Sequence, residues 1–413
     1  MLRFALAPTA PMRVGDLRLA LLNYLAAKRR GERFIVRIED GDRERNVEGL
    51  DRQILDILDL FGVRYDDVAY QSRNLTLHQH MAIKLLQERR AFACFCGTET
   101  DDEVPYEGGC DRLADAEVID NPNPFTVRLK KPERPVDFED LLQGPLSFAP
   151  DAVDSFVILR TDKSPTPDFA AAVDDMLHDI SLVFGEEAAL LRTSRQIAVR
   201  DALGYDRAVA YAHPGSFADE AAALEVKALL EEGFLPEAIA NYLLLLSLDA
   251  PKELFFLEEA AEWFDFPKVR KTPAPFDIEK LRALNREHMR LADPKELSRA
   301  FGFADADIGN LVKCHLDEGS TVREIRPRID TIFAPKPFAG EHGDAMRRLQ
   351  AAMKEAPLFD DFGELRAHLI RTTGLEGDSL EGALRLLLTG AEEGPDMAAL
   401  YPHLKNYLQE IIQ

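Results

Sequence analysis

Long apolar runs are missing from this chain of 413 residues. None approaches the roughly 20 residues that a bilayer-crossing helix needs, and the longest, such as Tyr242 to Leu248, fall far short. Pro8 and Pro11 interrupt the N-terminus before the core of a signal peptide could form. Cysteine is scarce: four in the whole chain make no disulfide framework, and point to a reducing, cytoplasmic compartment and to metal. Positive charge is also in deficit, with 50 Lys and Arg against 73 Asp and Glu and a formal balance of −23. Proteins that grip phosphates carry a local excess of Lys and Arg, so any basic surface here is a patch on an acidic body, and neither a membrane nor DNA is an expected partner. What the chain does have is 46% hydrophobic residues, ample for several cores across two to four domains, which excludes disorder and fibres.

The first 60 residues read as strand, turn, helix, strand, helix. Leu2 to Ala7 is a short apolar strand stopped by Pro8. From Val14 the apolar spacing is helical and runs to Lys28-Arg29-Arg30, with Gly31 as the stop signal. Phe34 to Ile38 is a continuous β-branched strand of the buried kind, and Val47 to Phe61 an amphipathic helix. This βαβ unit predicts a parallel, doubly wound sheet with its site at the C-terminal ends of the strands. Between residues 84 and 163 the rhythm breaks into an insertion with three of the cysteines and β-like segments at Phe125–Leu129 and Ser155–Leu159. After Phe217 the chain is almost wholly helical, and the prolines around Arg326-Pro327-Arg328 and Ala334 to Pro337 predict a hinge or loop.

Four stretches in order along the chain are similar to those of the glutamyl-tRNA synthetase family, class I aminoacyl-tRNA synthetases. Arg3-Phe4-Ala5 through Pro8-Thr9 resembles the family's Arg-Phe-Ala-Pro-Ser-Pro-Thr-Gly opening, and Arg37-Ile38-Glu39-Asp40-Gly41-Asp42 its Arg-Ile-Glu-Asp-Thr-Asp segment. Gly233 to Leu243 and Leu387 to Pro395 are similar to two further family stretches. The resemblance implies an α/β Rossmann-like catalytic domain (residues 1–83 and 164–220), an inserted α+β acceptor-binding-like subdomain (84–163), a helical stem-contact-like domain (221–300) and a helical anticodon-binding-like domain (301–413). It also implies glutamate–tRNA ligation with ATP and Mg, with tRNA as partner.

The same resemblance exposes departures at the positions that carry the chemistry. The family's His-Ile-Gly-His turn aligns with Arg13-Val14-Gly15-Asp16: Gly15 remains, the leading imidazole is Arg13, and Asp16 brings a carboxylate, the usual helix-capping group, to a place that would repel a triphosphate. The Lys-Met-Ser-Lys loop belongs between Tyr211-Ala212-His213 and Val226, where Pro214 to Glu225 contains no Lys or Arg and three carboxylates. In the amino-acid pocket Arg3, Ala5 and Glu39 are kept, whereas Ala7, Pro167 and Asp168 stand for a Ser, a Tyr and an Asn. Phe184 stands for a carboxylate-pairing Arg, Ala188 for a ring that packs on adenine, and Glu187 lies in the same segment.

Cys94, Cys96, Tyr106 and Cys110 cluster tightly enough to fold around a structural zinc, three thiolates with a phenolate or water. Cys314 sits alone on an apolar helical face and reads as packing. Residues 301–413 hold 12 Lys and Arg against 19 Asp and Glu, and their dense basic spots, Arg323, Arg326, Arg328 and Lys336 with Arg347 and Arg348, are the candidate RNA contacts. These observations favour a synthetase-like protein that has lost adenylation and binds or regulates tRNA, a true synthetase or an associated protein. The alternatives are an active ligase with divergent signatures, and a ligase repurposed to another substrate with Arg13, Asp16 and Asp168 as new contacts.

Overall fold

The computed structural model describes residues 1–96, 105–217, 223–272 and 275–413. The chain divides into two compact units, one made of Met1–Lys227 and Ala240–Phe276, the other of Ala228–Ile239 and Asp277–Gln413.

The first unit is built on a seven-stranded sheet. Its strands are β1 (Leu2–Leu6), β2 (Phe34–Ile38), β3 (Asp67–Tyr70), β6 (Val136–Asp140), β7 (Gly144–Phe148), β9 (Leu182–Phe184) and β10 (Ala210–Ala212), while β4 (Ala91–Cys94), β5 (Thr126–Leu129) and β8 (Val157–Leu159) form a separate antiparallel sheet. The order in the large sheet is β3-β2-β1-β9-β10-β6-β7, parallel except for the β6–β7 hairpin. Its first five strands follow the doubly wound order, and the direction of winding reverses between β1 and β9, where a crevice opens at the strands' C-terminal ends. The register Leu2↔Phe34 through Leu6↔Ile38 puts Arg3 and Arg37 on neighbouring strands, two positions apart. The segment 84–163 is woven into this frame, because β6 pairs with β10 through Tyr211↔Asp140 and extends the main sheet.

The helices follow from local chemistry. Helix α1 (Val14–Arg30) has its cations in the last turn and ends where Gly31 turns left-handed at φ 64°, an arrangement that satisfies the final carbonyls and that a side chain would strain. The second helix, α2, is shorter than its periodicity predicts: it spans Leu50–Leu60, because Gly49 at φ 84° interrupts the run from Val47. The remaining helices of this unit that position the site are α3 (Leu75–Gln87), α4 (Asp115–Ile119), α5 (Pro150–Val153), α6 (Pro167–Leu177) and α7 (Leu190–Leu203).

The second unit is helical around one apolar core, in which Leu311, Ile329, Leu349, Leu369, Leu387 and Leu400 are fully buried. Asp277, Asp293, Asp305, Asp361 and Asp396 cap its helices, so part of the chain's acidity has a structural use. The hinge expected at Arg326-Pro327-Arg328 is absent: these residues lie inside the helix Val322–Phe333. One missing N–H at Pro327 is outweighed by the buried stripe Ile325, Ile329 and Ile332 and by the Thr321 cap. Among the described residues no helix is long and apolar enough to cross a membrane.

Candidate functional site

The crevice between β1 and β9 is a cavity of about 360 Å³ lined by Arg3, Ala5, Glu39, Phe184, Glu186 and Arg192, with Asp16 and Thr193 at its edges. Its floor is an internal ion cluster. Asp175 on α6 accepts a two-pronged bond from Arg3 (Nε 2.9 Å, Nη2 3.1 Å) and a 2.6 Å bond from Arg37, with Arg200 at 3.8 Å. Arg37 also holds Glu39 at 2.9 Å, which aims that carboxylate along the cavity wall. Burial pushes the Asp175 carboxyl up, but Arg3, Arg37 and Arg200 together hold it far below the usual carboxylate range. Arg3 is therefore committed through two nitrogens to the protein itself, and only Nη1 is left for a ligand.

At the N-terminus of α1, Arg13 is exposed and its N–H is capped by Asp16 Oδ2 at 2.9 Å. Burial, opposed by that bond and assisted by the charge of Glu186, raises the Asp16 carboxyl. Gly15 is where a backbone could approach an anion, yet a Cβ built there would lie 3.4 Å from Glu186 Oε1. Two carboxylates thus lie near the helix end where a phosphate would be cradled.

The segment after His213 is tied down along its described length. Arg18 of α1, fully buried, donates from Nη2 to Gly215 O at 2.7 Å and lies over the Phe217 ring. Burial lowers its guanidinium to about 10. Gly215 N–H reaches Lys271 O, Ser216 Oγ donates to Glu186 at 3.3 Å, and Leu224 O accepts from Val14 N–H while Val226 N–H reaches Met12 O. The sequence reading of Pro214 to Glu225 falls partly on 218–222, which lie outside the described residues. His213 itself is buried between Asp140 (2.6 Å) and Thr193 (2.9 Å), linking β6, β10 and α7 behind the cavity.

Four residues expected in the pocket, Ala7, Pro167, Asp168 and Glu187, are not among those that line it. Pro167 is exposed at the start of α6, and Glu187 is exposed because the chain turns after β9, so that the preceding carboxylate, Glu186, faces inward. Asp168 is buried and pairs with Arg192 at 2.8 Å. Ala5 and Glu39 line the wall as expected, Ala7 is half-buried just beyond β1, and Phe184 fills its place by stacking on Phe266 at 6.4 Å. Sequence reasoning missed Glu186, Arg192, Arg18 and Asp175. Only Asp175 left a local signal, a carboxylate pair set in the apolar run Ala170 to Leu177.

The Sγ atoms of Cys94, Cys96 and Cys110 lie within 4.8 Å of one another, close to the roughly 3.8 Å spacing of thiolates around a tetrahedral zinc. Tyr106 Oη accepts the Cys110 N–H at 2.8 Å, which brings the phenol to the cluster. Burial and bonds to Cys110 and Cys94 push the Cys96 thiol up to about 12. Burial also raises Cys110, but bonds from Phe95 N–H, Cys96 and Tyr106 bring it below the ordinary thiol value. The donor set fits zinc. Cys314 is half-buried against the helical core.

The basic residues of the second unit are engaged locally. Arg323 pairs with Glu232, Arg326 with Asp330, Arg328 with Glu318 and Arg347 with Asp344, while Arg348 donates to Thr373 O. Lys336 corrects its expected place on the surface. It is 6% exposed and donates to the carbonyls of Thr331, Ile332 and Ala334, since a helix C-terminus attracts an ammonium group more strongly than solvent does there.

Compared with known proteins, residues 1–283 match the family model of the class I tRNA synthetases (E and Q), catalytic domain. The chain is 45% identical to glutamate–tRNA ligase 2 of Sulfurimonas denitrificans and 45% identical to glutamate–tRNA ligase 1 of Nitratiruptor, each alignment covering all of both chains. Among solved structures, a glutamate-tRNA synthetase from Elizabethkingia anophelis superimposes with a TM-score of 0.78 at 25% identity, over 99% of this chain and 98% of that one.

Proposed function

The chain belongs to the class I glutamyl-tRNA synthetase family, and from that membership we propose that it is a synthetase-like binding or regulatory protein without ATP-dependent glutamate activation. The observation that carries this reading is the proximity of Asp16 and Glu186 at the N-terminus of α1, together with a sequence, Pro214 to Glu225, that contains no Lys or Arg. Adenylation develops negative charge on phosphoryl oxygens, and preorganised donors are what stabilise it. Here the matching positions offer carboxylates. The amino-acid pocket supports the same reading: Arg3 is held by Asp175, and Phe184 presents a ring where the family presents a guanidinium. Arg192, paired with Asp168 through Nε, is the more exposed of the two cations that line the cavity, and its other nitrogens are the ones a small carboxylate ligand would meet, with Glu39 in the same lining for an ammonium group.

Full-length identity to proteins named as glutamate–tRNA ligases favours the competing reading, an active ligase on tRNA. Thermal unfolding separates the two. Millimolar Mg-ATP, with or without glutamate, is expected to leave Tm unchanged, because a ligand that does not bind contributes no linkage. A rise of several degrees with ATP would favour the ligase.

In the same reading Cys94, Cys96, Cys110 and Tyr106 hold a structural zinc that folds the short loop around them, with no role in a reaction. Elemental analysis of protein produced in zinc-supplemented medium is expected to find about one zinc per chain, and far less in Cys110→Ser. Metal-free wild-type protein from that medium would remove the assignment.

A further inference from the structure

The cavity between β1 and β9 is lined by charges of both signs, and they fall into two groups. Burial lowers the Arg192 guanidinium, but the charges of Asp168 and Glu39 raise it beyond its ordinary value. Arg3 belongs with them, since its partner Asp175 is joined to Glu39 through Arg37. Asp16 and Glu186 make the other group, at the N-terminus of α1. Burial raises the Asp16 carboxyl, the Arg13 N–H lowers it, and the nearby Glu186 charge raises it again. Between the charges the lining is apolar, with Leu19 and Phe184.

Each group keeps atoms that the protein does not use. Asp16 takes the Arg13 N–H on Oδ2, and Glu186 takes the Ser216 hydroxyl on Oε2. Their other oxygens have no hydrogen bond, and neither residue makes an ion pair, among the described residues. Arg18, the buried cation near Glu186, gives its hydrogen bond to Gly215 O and its face to the Phe217 ring. Arg13 is exposed and holds neither carboxylate as an ion pair. In the other group Arg3 is only 8% exposed, yet its Nη1 has no partner among the described residues. Arg192 spends Nε on Asp168, which leaves its two terminal nitrogens, and Glu39 spends Oε1 on Arg37, which leaves Oε2.

We propose that this cavity binds a free α-amino acid with a cationic side chain, of the lysine, ornithine or arginine class, an inference that rests on the loss of glutamate activation proposed above. The ligand's carboxylate meets the guanidiniums of Arg192 and Arg3, whose planar forks match it. Its α-ammonium meets Glu39. The methylene stem crosses Leu19 and Phe184, as the stems of long cationic side chains do on apolar surface. The terminal cation then reaches Asp16 and Glu186, which no cation of the protein neutralises as an ion pair. Other ligand classes leave one group unmet. A dicarboxylate sets its second negative charge against the acidic pair or the Phe184 ring. A neutral aliphatic amino acid covers two carboxylates and gives them no partner, which is costly. A diamine without a carboxylate does the same to the arginines. The volume of about 360 Å³ is on the scale of a small molecule.

The test is equilibrium dialysis of the full-length protein against labelled L-lysine, with L-arginine, L-ornithine, L-norleucine, cadaverine and L-glutamate as competitors. Lysine is expected to bind, and arginine or ornithine to displace it. Norleucine, which lacks the terminal charge, and cadaverine, which lacks the carboxylate, are expected to compete at least tenfold more weakly, about the value of one charge-assisted bond. Glu186→Gln and Asp16→Asn are each expected to weaken lysine binding roughly tenfold while leaving norleucine within about threefold. Both are near-isosteric, and the comparison of ligands on the wild-type protein stands even if a variant folds poorly. Absence of lysine binding, or displacement by norleucine as readily as by arginine, would overturn the ligand class. Adding lysine and Mg-ATP to a pyrophosphate exchange assay separates this from the reading it rests on. Lysine bound without exchange keeps both. Lysine-dependent exchange keeps the ligand class and shows that ATP is still used. Glutamate binding more tightly than lysine, with glutamate-dependent exchange, overturns both.

Discussion

Incubated with glutamate, Mg-ATP and labelled pyrophosphate, the protein is expected to return no label to ATP above a protein-free control. Removal of one preorganised donor to a developing oxyanion costs roughly 10²–10³ in rate. The segment Pro214 to Glu225 lacks the two lysines expected from the family, so roughly 10⁴–10⁶ is lost there before anything else is counted. The Asp16 and Glu186 carboxylates then add repulsion where donors should be, close to Gly15 and within a partly buried site that screens them poorly. Asp16→His alone is expected to leave the assay silent, because it changes the helix end and supplies nothing to the loop. Glutamate-dependent, saturable exchange by the wild-type protein would defeat the proposed loss of activation and support a working ligase.

Asp175→Asn is expected to destabilise the first unit by about 3–5 kcal/mol, because removing one partner of a buried ionic cluster leaves the other charges uncompensated. Here the orphaned groups would be the guanidiniums of Arg3, Arg37 and Arg200, all nine-tenths or more buried. Calorimetric or urea unfolding measures the loss directly. The pH dependence carries the sign of a depressed carboxyl. Folding keeps Asp175 ionised below the unfolded value near 3.9, so its contribution is complete above about pH 5 and drains away as pH falls through 4 and below. The variant should therefore show a flatter acid limb than wild type. A loss below about 1 kcal/mol with an unchanged acid limb would mean that the arginines find other partners.

Much of the site was open to sequence reasoning because its departures are local. A missing lysine or a carboxylate at a helix start is read from one segment and keeps its meaning in the fold, as the Asp16 cap on Arg13 N–H does. Glu186 and Glu187 could not be told apart, because a turn after β9 decides which one faces inward. Lys336 looked like a surface cation because nothing in its neighbours announces that three helix-end carbonyls converge on it.

The sequence by itself determined the family, the βαβ opening, the helical second half and the absence of cations from the segment before Val226. These are properties of periodicity and of short motifs, encoded within a few residues of one another. Only the tertiary structure decided which charges meet. It closes Arg3 onto Asp175, 172 positions away, and sets Arg90 beside Lys130. The physical reason is that sheet order and helix docking, chosen by burial of apolar surface, place distant segments in contact, while Coulomb interactions act on the distances that result. A deficit of 23 charges therefore said little about where the basic surface lies; the backbone bond from Lys130, after β5, to Arg90, after α3, brought two of its segments together.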